Sequence, residues 1–144
     1  MAHVDTSVLI DLVLLNSPRR VWAETMLLEH QAQGAFRIDP VVYAEFSIAL
    51  PSREALDGML DHTGIRLIAT PREALFLAGR AHRDYRARGG QRAAILPDFI
   101  VGAHAWIDSG VLITRDPGRF QRAFPQLKLV HPSDTEQGQR GSPQ

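Results

Sequence analysis

The sequence predicts a single α/β domain with a central, mainly parallel, five-stranded sheet and helices on both faces. Two observations support this prediction. Short apolar runs alternate along the chain with longer segments of helical character, and several of those segments open with a capping residue or a proline. Strands separated by helical crossovers pair in parallel. A chain of 144 residues, 44% of them hydrophobic, is long enough to bury one such core.

Five short apolar runs are the predicted strands. In chain order they are Ala2–Val4, Phe36–Ile38, Arg66–Ala69, Val111–Thr114 and Leu127–Val130. Each is shorter than a typical buried helix, which favours the strand interpretation.

The segments between these runs carry helix start and stop signals. A first helix is predicted directly after Asp5, and Ser17-Pro18 predicts the start of a second one, which Gly34 ends. Asp39-Pro40 repeats that start signal before a helix over 41–50.

Three further helices are predicted in the second half of the chain. Ser52 can cap a helix that runs to about His62. Thr70-Pro71-Arg72-Glu73 has the form of a capping box and predicts a long helix to about Arg88. Asp98 is predicted to open the last one, which ends near Gly110.

Domain limits and localisation follow from composition. The folded domain is predicted to span residues 1–132, whereas residues 133–144 are polar and predicted to be disordered. No basic leader precedes Asp5, and the longest apolar stretch, Val8–Leu15, is interrupted by Asp11 and too short to span a bilayer. We therefore expect a cytoplasmic protein with no membrane contact.

Composition also excludes some chemistry. The chain has no cysteine, which rules out disulfides, thiolate nucleophiles and cysteine-based zinc sites. Its 16 basic and 16 acidic residues cancel, so no net charge attracts the whole molecule to nucleic acid.

Four carboxylates stand where an α/β fold builds its sites. Asp5 and Asp116 follow predicted strands, Asp98 begins a helix, and Glu45 lies in an otherwise apolar helix. Glu45 shares a helical stripe with Val41, Ile48 and Ala49, which predicts that its carboxylate is buried. A buried carboxylate must be bound to a metal, protonated, or paired with an arginine.

Each of the other three acids also has a structural interpretation. Asp5 and Asp98 can be helix caps, and Asp116-Pro117-Gly118 is a good turn sequence. Gly102 and Ala105 share the face of Asp98, which predicts space beside that carboxylate.

Asp39 is a weaker candidate for the same site. It also ends a strand, but Pro40 follows it and makes it a natural cap for the Glu45 helix.

Converging carboxylates without cysteine favour Mg²⁺ or Mn²⁺ over zinc. The six histidines form no His-x-x-x-His pair, which is a further argument against a zinc hydrolase. Magnesium held by carboxylates commonly serves phosphoryl chemistry.

At these residues the chain resembles PIN-domain ribonucleases, and more narrowly VapC-type toxins of bacterial type II toxin–antitoxin systems. The matching segments, which together reach from residue 4 to residue 120, are Val4-Asp5-Thr6-Ser7-Val8-Leu9-Ile10, Val42-Tyr43-Ala44-Glu45, Leu96-Pro97-Asp98-Phe99-Ile100-Val101-Gly102-Ala103-His104-Ala105 and Thr114-Arg115-Asp116-Pro117-Gly118-Arg119-Phe120. Any one segment is weak, but all four in this order make the resemblance specific.

The resemblance implies a PIN-like fold and a metal-dependent endoribonuclease. It implies that the four acids, Asp5, Glu45, Asp98 and Asp116, are catalytic and hold one or two Mg²⁺ or Mn²⁺ ions, and that Thr6 and Thr114 support them. It further implies an RNA substrate, a small VapB-like antitoxin, a homodimer and a toxin–antitoxin hetero-oligomer. The candidate RNA contacts are arginines on and after the long helix: Arg80, Arg83, Arg86, Arg88 and Arg92. The alternative interpretation of these arginines is a solvated helix face.

Three other interpretations were weighed. A phosphatase of the haloacid-dehalogenase type needs an acid two residues after the nucleophile, where this chain has Ser7. A PIN nuclease of RNA processing without an antitoxin, and a catalytically silent PIN binding module, both fit the same fold. Intact carboxylates argue against the silent module, because grouped charges destabilise a protein that does not use them.

Overall fold

The computed structural model describes residues 1–14, 16–31, 34–90 and 96–132. Within them, five strands form one parallel sheet in the order β3-β2-β1-β4-β5. The strands are β1 (Ala2–Val4), β2 (Phe36–Ile38), β3 (Ile65–Leu67), β4 (Val111–Ile113) and β5 (Lys128–Val130). The predicted α/β class and the five-stranded sheet are confirmed, and the sheet is parallel throughout.

Seven helices surround the sheet in the described part of the chain. They are α1 (Thr6–Val13), α2 (Arg20–Gln31), α3 (Pro40–Ser47), α4 (Arg53–Thr63), α5 (Arg72–Ala87), α6 (Leu96–Asp108) and α7 (Gly118–Gln121). None of these helices is both long and apolar enough to cross a membrane.

The core lies between the sheet and the helices. Its largest fully buried apolar side chains come from strands and helices alike: Phe46, Phe120, Leu9, Ile38, Leu56, Leu112 and Ile113. Every strand is only three residues long, so the sheet depends on this packing as well as on its hydrogen bonds.

The third strand begins earlier than the predicted Arg66–Ala69. Gly64 adopts a left-handed conformation (φ 71°) at the end of α4, and the chain passes directly into β3 at Ile65. Ile65 then pairs with Phe36 of β2. The strand predictions at Val111–Thr114 and Leu127–Val130 were each one residue too long, at Thr114 and Leu127 respectively.

The capping box predicted at Thr70 is wrong. α5 begins at Arg72 and has no side-chain cap. The Thr70 hydroxyl instead donates a hydrogen bond to Asp39 Oδ2 at 2.6 Å. The Thr70 hydroxyl therefore bonds to a residue distant in sequence, Asp39, and not to the backbone of α5.

Other helix limits also differ from the prediction. α2 starts at Arg20 rather than at Pro18, because the Ser17 hydroxyl accepts from the Arg19 N–H in a turn before the helix. α6 starts at Leu96, which puts Asp98 inside its first turn and not at its cap. Ser52 caps α4 as predicted, accepting from the Ala55 N–H at 3.1 Å.

The predicted buried stripe on the Glu45 helix is also wrong in part. α3 ends at Ser47, so Ile48 and Ala49 fall in a turn, where Ile48 is 87% exposed and Ala49 is exposed too. The predicted polar tail at 133–144 lies outside the described residues.

Candidate metal centre

The acidic residues gather where the sheet changes its winding direction. β1 and β4 are neighbours, but β1 is followed in space by β2 on one side and β4 by β5 on the other. Such a reversal opens a crevice at the carboxyl ends of the two central strands, which is where parallel α/β sheets bind ligands. Asp5 follows β1 and Thr114 follows β4, so both lie at this crevice.

Asp5 is held from three directions. One oxygen, Oδ1, accepts from the Thr6 N–H at 2.9 Å, which makes Asp5 the cap of α1. The other, Oδ2, accepts from the hydroxyls of Ser7 at 3.1 Å and Thr114 at 2.8 Å. Burial raises the pKa of Asp5 even though these hydrogen bonds favour the charged form. The carboxylate is thus fixed in place yet poorly solvated.

Glu45 reaches the same crevice from α3. Its Oε1 accepts from the Thr6 hydroxyl at 3.0 Å, which links α3 to the first turn of α1. Glu45 is half-buried rather than fully buried. Burial raises the pKa of Glu45, and the negative charges of Asp5 and Asp98 raise it further. These three acids are therefore close enough to repel one another.

Asp98 completes the group from the first turn of α6. Burial raises the pKa of Asp98, and the charges of Asp5 and Asp116 add to this effect while Arg119 opposes it. The space predicted beside Asp98 is filled: a Cβ on Gly102 would lie 2.6 Å from the Phe124 ring. Gly102 therefore serves close packing of that ring against α6.

Asp116 lies in the loop between β4 and α7, and its side chain is more exposed than that of Asp98. Its N–H donates to the Thr114 hydroxyl at 3.0 Å. Its Oδ2 is 3.3 Å from Arg119 Nη2. Thr114 thus contacts both Asp5 and the backbone of Asp116, and it fixes the spacing between the two central strand ends.

Arg119 is a site residue that sequence reasoning missed. Its Nη1 is 3.4 Å from Asp98 Oδ1, so the guanidinium bridges Asp98 and Asp116. The available signal was its position three residues after Asp116, at which side chains of a helical turn face each other.

The residues at the crevice fit a hard divalent cation. All four supply carboxylate oxygens, the donors that Mg²⁺ and Mn²⁺ prefer. Burial raises the pKa values of Asp5, Glu45 and Asp98, and repulsion by neighbouring acids adds to this effect for Glu45 and Asp98. The side chain that lies among them in this structure is itself a cation, Arg119. A positive charge is what this group of acids lacks.

Asp39 belongs to a different, buried polar cluster. It caps α3 through the Val41 N–H at 2.7 Å, and it accepts from His104 Nδ1 at 2.7 Å as well as from Thr70. Burial works against the charge of Asp39, but these hydrogen bonds outweigh it and its pKa is lowered. The charge of Asp39, the weaker candidate for the acidic site, is therefore stabilised by hydrogen bonds from its own neighbours.

The buried cluster continues along α6 to the opposite end of β1. The His104 and His3 rings meet edge to face at 4.5 Å, and His3 Nε2 donates to Asp108 Oδ2 at 2.7 Å. Asp108 also accepts from Arg37 at 3.1 Å. His3, His104 and Asp108 bring ligand atoms within 4.8 Å of one another, but Arg37 already supplies a positive charge there. The arrangement is that of a structural hydrogen-bond network, in which Arg37 Nε is the one of its buried polar atoms that has no hydrogen-bond partner among the described residues.

The arginines predicted to contact RNA are exposed wherever the structure describes them. Arg80 stacks over the Phe76 ring at 4.7 Å, and Arg83 pairs with its neighbour Asp84. Arg86 and Arg88 are exposed at the end of α5, and Arg92 lies outside the described residues.

The C-terminal half of α5 packs against the start of α6, the helix that carries Asp98. His82 and Tyr85 pack edge-on against Phe99, with ring centroids 6.0 and 5.8 Å apart, and Phe99 directly follows Asp98.

Fold and site together define an α/β protein with an acidic crevice at the reversal point of a parallel sheet. The family model of the PIN domain matches residues 2–124. The chain therefore belongs to the PIN-domain family, a family of nucleases, as the sequence segments predicted. No curated protein matched the chain by sequence.

Solved structures share this fold. One is VapBC2 from Rickettsia felis bound to a DNA fragment from their promoter, with TM-score 0.70 and 17% identity over 91% of this chain and 98% of that one. FitAcB from Neisseria gonorrhoeae gives TM-score 0.64 and 17% identity, covering 91% and 97% of the two chains. VapBC-1 from nontypeable Haemophilus influenzae gives a TM-score of 0.66 and 18% identity, covering 90% of this chain and 96% of that one.

Proposed function

We propose that this protein is a divalent-cation-dependent endoribonuclease and the toxin of a toxin–antitoxin pair. The observation that carries the proposal is the convergence of Asp5, Glu45, Asp98 and Asp116 at the crevice of a PIN domain. Carboxylates grouped in this way destabilise the protein unless a cation joins them.

The chain's own residues would act as follows. The four acids hold one or two Mg²⁺ or Mn²⁺ ions, which when bound supply the Lewis acidity that phosphodiester hydrolysis needs. Thr114 holds Asp5 Oδ2 at 2.8 Å, and Thr6 holds Glu45 Oε1 at 3.0 Å, so the hydroxyls orient the ligands. An RNA phosphate entering from the α5 side would meet the exposed Arg86 and Arg88.

A partner is proposed on the strength of the similar structures. Those from Rickettsia felis and Haemophilus influenzae are VapBC assemblies, and we infer that this chain also binds a small VapB-like antitoxin and forms a homodimer within the complex. Its place of action would be the cytoplasm, where its RNA substrate is found.

Two charge-removing substitutions test the nuclease. We expect Asp5→Asn and Asp98→Asn each to abolish Mg²⁺-dependent cleavage of a labelled RNA, with circular dichroism and melting temperature showing an intact fold. Glu24→Gln is the matched control, because Glu24 is an exposed acid of α2 that is not one of the four and that pairs with Arg20. Full activity in either site variant, or of the wild type in excess EDTA, would contradict the proposal.

The toxin role is tested separately by the neighbouring reading frame. Co-expression of the small protein encoded beside this chain should give a stable complex in which cleavage is suppressed. An active nuclease without such a neighbour would favour a role in RNA processing, and an inactive one would favour a silent binding module.

A further inference from the structure

Arg119 is the only arginine among the described residues for which the structure gives ion pairs to two of the four acids. Its guanidinium lies 3.4 Å from Asp98 and 3.3 Å from Asp116, and its side chain is 44% exposed. The positive charge of Arg119 also acts on Asp5 and Glu45. It partly offsets the effect of burial, which raises the pKa values of these two acids. One side chain thus acts electrostatically on the buried acids of the site.

The backbone holds Arg119 at this position. The next residue, Phe120, is fully buried, and its N–H bonds to the Pro117 carbonyl at 3.0 Å. The Arg119 N–H bonds to the Asp116 carbonyl at 3.3 Å. This short turn therefore presents the arginine at the rim of the crevice while the neighbouring aromatic ring anchors it in the core.

The nearest comparable arginine has a different role. Arg115 Nη1 lies 2.7 Å from Asp11 Oδ1, and Asp11 is a buried acid of α1 that is not one of the four. Two arginines of one loop are thus divided between a structural acid and the candidate metal site.

We propose that Arg119 is a built-in counter-cation: it occupies the acidic site of the metal-free protein, and a divalent cation must displace it in order to bind. The inference rests on the proposed function, because it assumes that the four acids bind such a cation. A single charge on a half-exposed side chain compensates the acids only in part, and a divalent ion can therefore replace it. Arg119 would then lower the affinity of the site for the metal ion. In the metal-free protein it would reduce the repulsion between the four carboxylates.

The test measures metal binding directly, without RNA. Free Mn²⁺ is quantified by electron paramagnetic resonance during titration of the full chain, which yields the dissociation constant. We expect Arg119→Gln to bind Mn²⁺ about tenfold more tightly than the wild type, a modest change because both ion pairs are partly solvated. In EDTA the melting temperature of Arg119→Gln should be lower than that of the wild type, because the acids have lost their counter-charge. Adding Mn²⁺ should raise the melting temperature of the variant above its value in EDTA.

Two further variants make the comparison specific. Arg119→Lys keeps the charge and should stay within about threefold of the wild type, because the effect is mainly Coulombic. Arg122→Gln removes an exposed arginine of the same segment and should leave Mn²⁺ affinity unchanged. Raising the salt concentration should reduce the difference in Mn²⁺ affinity between the wild type and Arg119→Gln, because salt screens partly exposed ion pairs.

Each outcome decides a point. An unchanged or weaker Mn²⁺ affinity in Arg119→Gln overturns the counter-cation while leaving the nuclease proposal standing. Tighter Mn²⁺ binding in Arg119→Gln but not in Arg119→Lys supports a role of the positive charge. If the wild type binds no Mn²⁺ at all, both this inference and the metal dependence of the proposed function are wrong.

Discussion

Replacing Thr114 with valine removes a single hydroxyl from the centre of the site. Thr114 is fully buried, and valine has nearly the same shape, so the backbone has no steric reason to move. Two hydrogen bonds are lost: the one donated to Asp5 Oδ2 at 2.8 Å and the one accepted from the Asp116 N–H at 3.0 Å. A bond to a charged group contributes about 1.5–3 kcal/mol, and a neutral one about 0.5–1.5 kcal/mol.

The sum predicts that Thr114→Val loses about 2–4.5 kcal/mol of unfolding free energy at pH 7 in EDTA. Urea titration followed by tryptophan fluorescence measures this, because Trp22 is buried and reports on the core. Mn²⁺ affinity should fall about tenfold or more, which is typical when the group that orients a metal ligand is removed.

Thr70→Val is the matched control for that variant. Its hydroxyl also donates to a buried carboxylate, Asp39, at 2.6 Å, but Asp39 lies in the other polar cluster. We expect a comparable loss of stability with no change in Mn²⁺ affinity. The reasoning would be refuted by equal losses of Mn²⁺ affinity in the two variants, or by wild-type affinity in Thr114→Val.

Two other predictions concern the packing and the buried histidine. Gly102→Ala should lower the unfolding free energy by about 1–3 kcal/mol, because the new methyl group would meet the Phe124 ring at 2.6 Å; an unchanged urea midpoint would contradict this packing. Burial, together with the nearby His104, lowers the pKa of His3 below its ordinary 6.5, so NMR titration should show its imidazole still neutral at pH 6.5. Below pH 6.5, His3 of the unfolded chain binds a proton that His3 of the folded protein does not. The unfolding free energy should therefore decrease as the pH falls below 6.5, by at most about 1.4 kcal/mol per pH unit. A His3 that titrates at or above 6.5 would show that it is not desolvated as the structure indicates.

The sequence predicted those parts of the fold that depend on local signals. Apolar runs placed all five strands, and the strand-end positions of Asp5 and Asp116 put them at one edge of the sheet. Ser52 and Asp39 were recognised as helix caps, because a cap hydrogen bond joins residues two or three positions apart.

The errors arose where a distant partner overrides a local preference. The Thr70 hydroxyl bonds to Asp39, 31 residues away, instead of capping α5. The pair of His3 and Asp108 joins residues 105 positions apart, and no periodicity along the chain could have indicated it. Arg119 is a different case, since its i+3 spacing from Asp116 was visible, but its contact with Asp98 depends on how α6 and α7 pack.

The two polar clusters explain how a site made of mutually repelling acids stays assembled. Glu45 is carried by α3 and Asp98 by α6, and the charge of Asp98 raises the pKa of Glu45 through like-charge repulsion, which acts to separate the two helices. Asp39 at the cap of α3 and His104 of α6 form a fully buried hydrogen bond at 2.7 Å that joins the same two helices. Because this bond is shielded from water, it is not weakened by salt in the way that the contacts of Arg119 are. The buried cluster therefore keeps the acids in position whether or not a cation is bound, and only the exposed side of the site has to change when one binds.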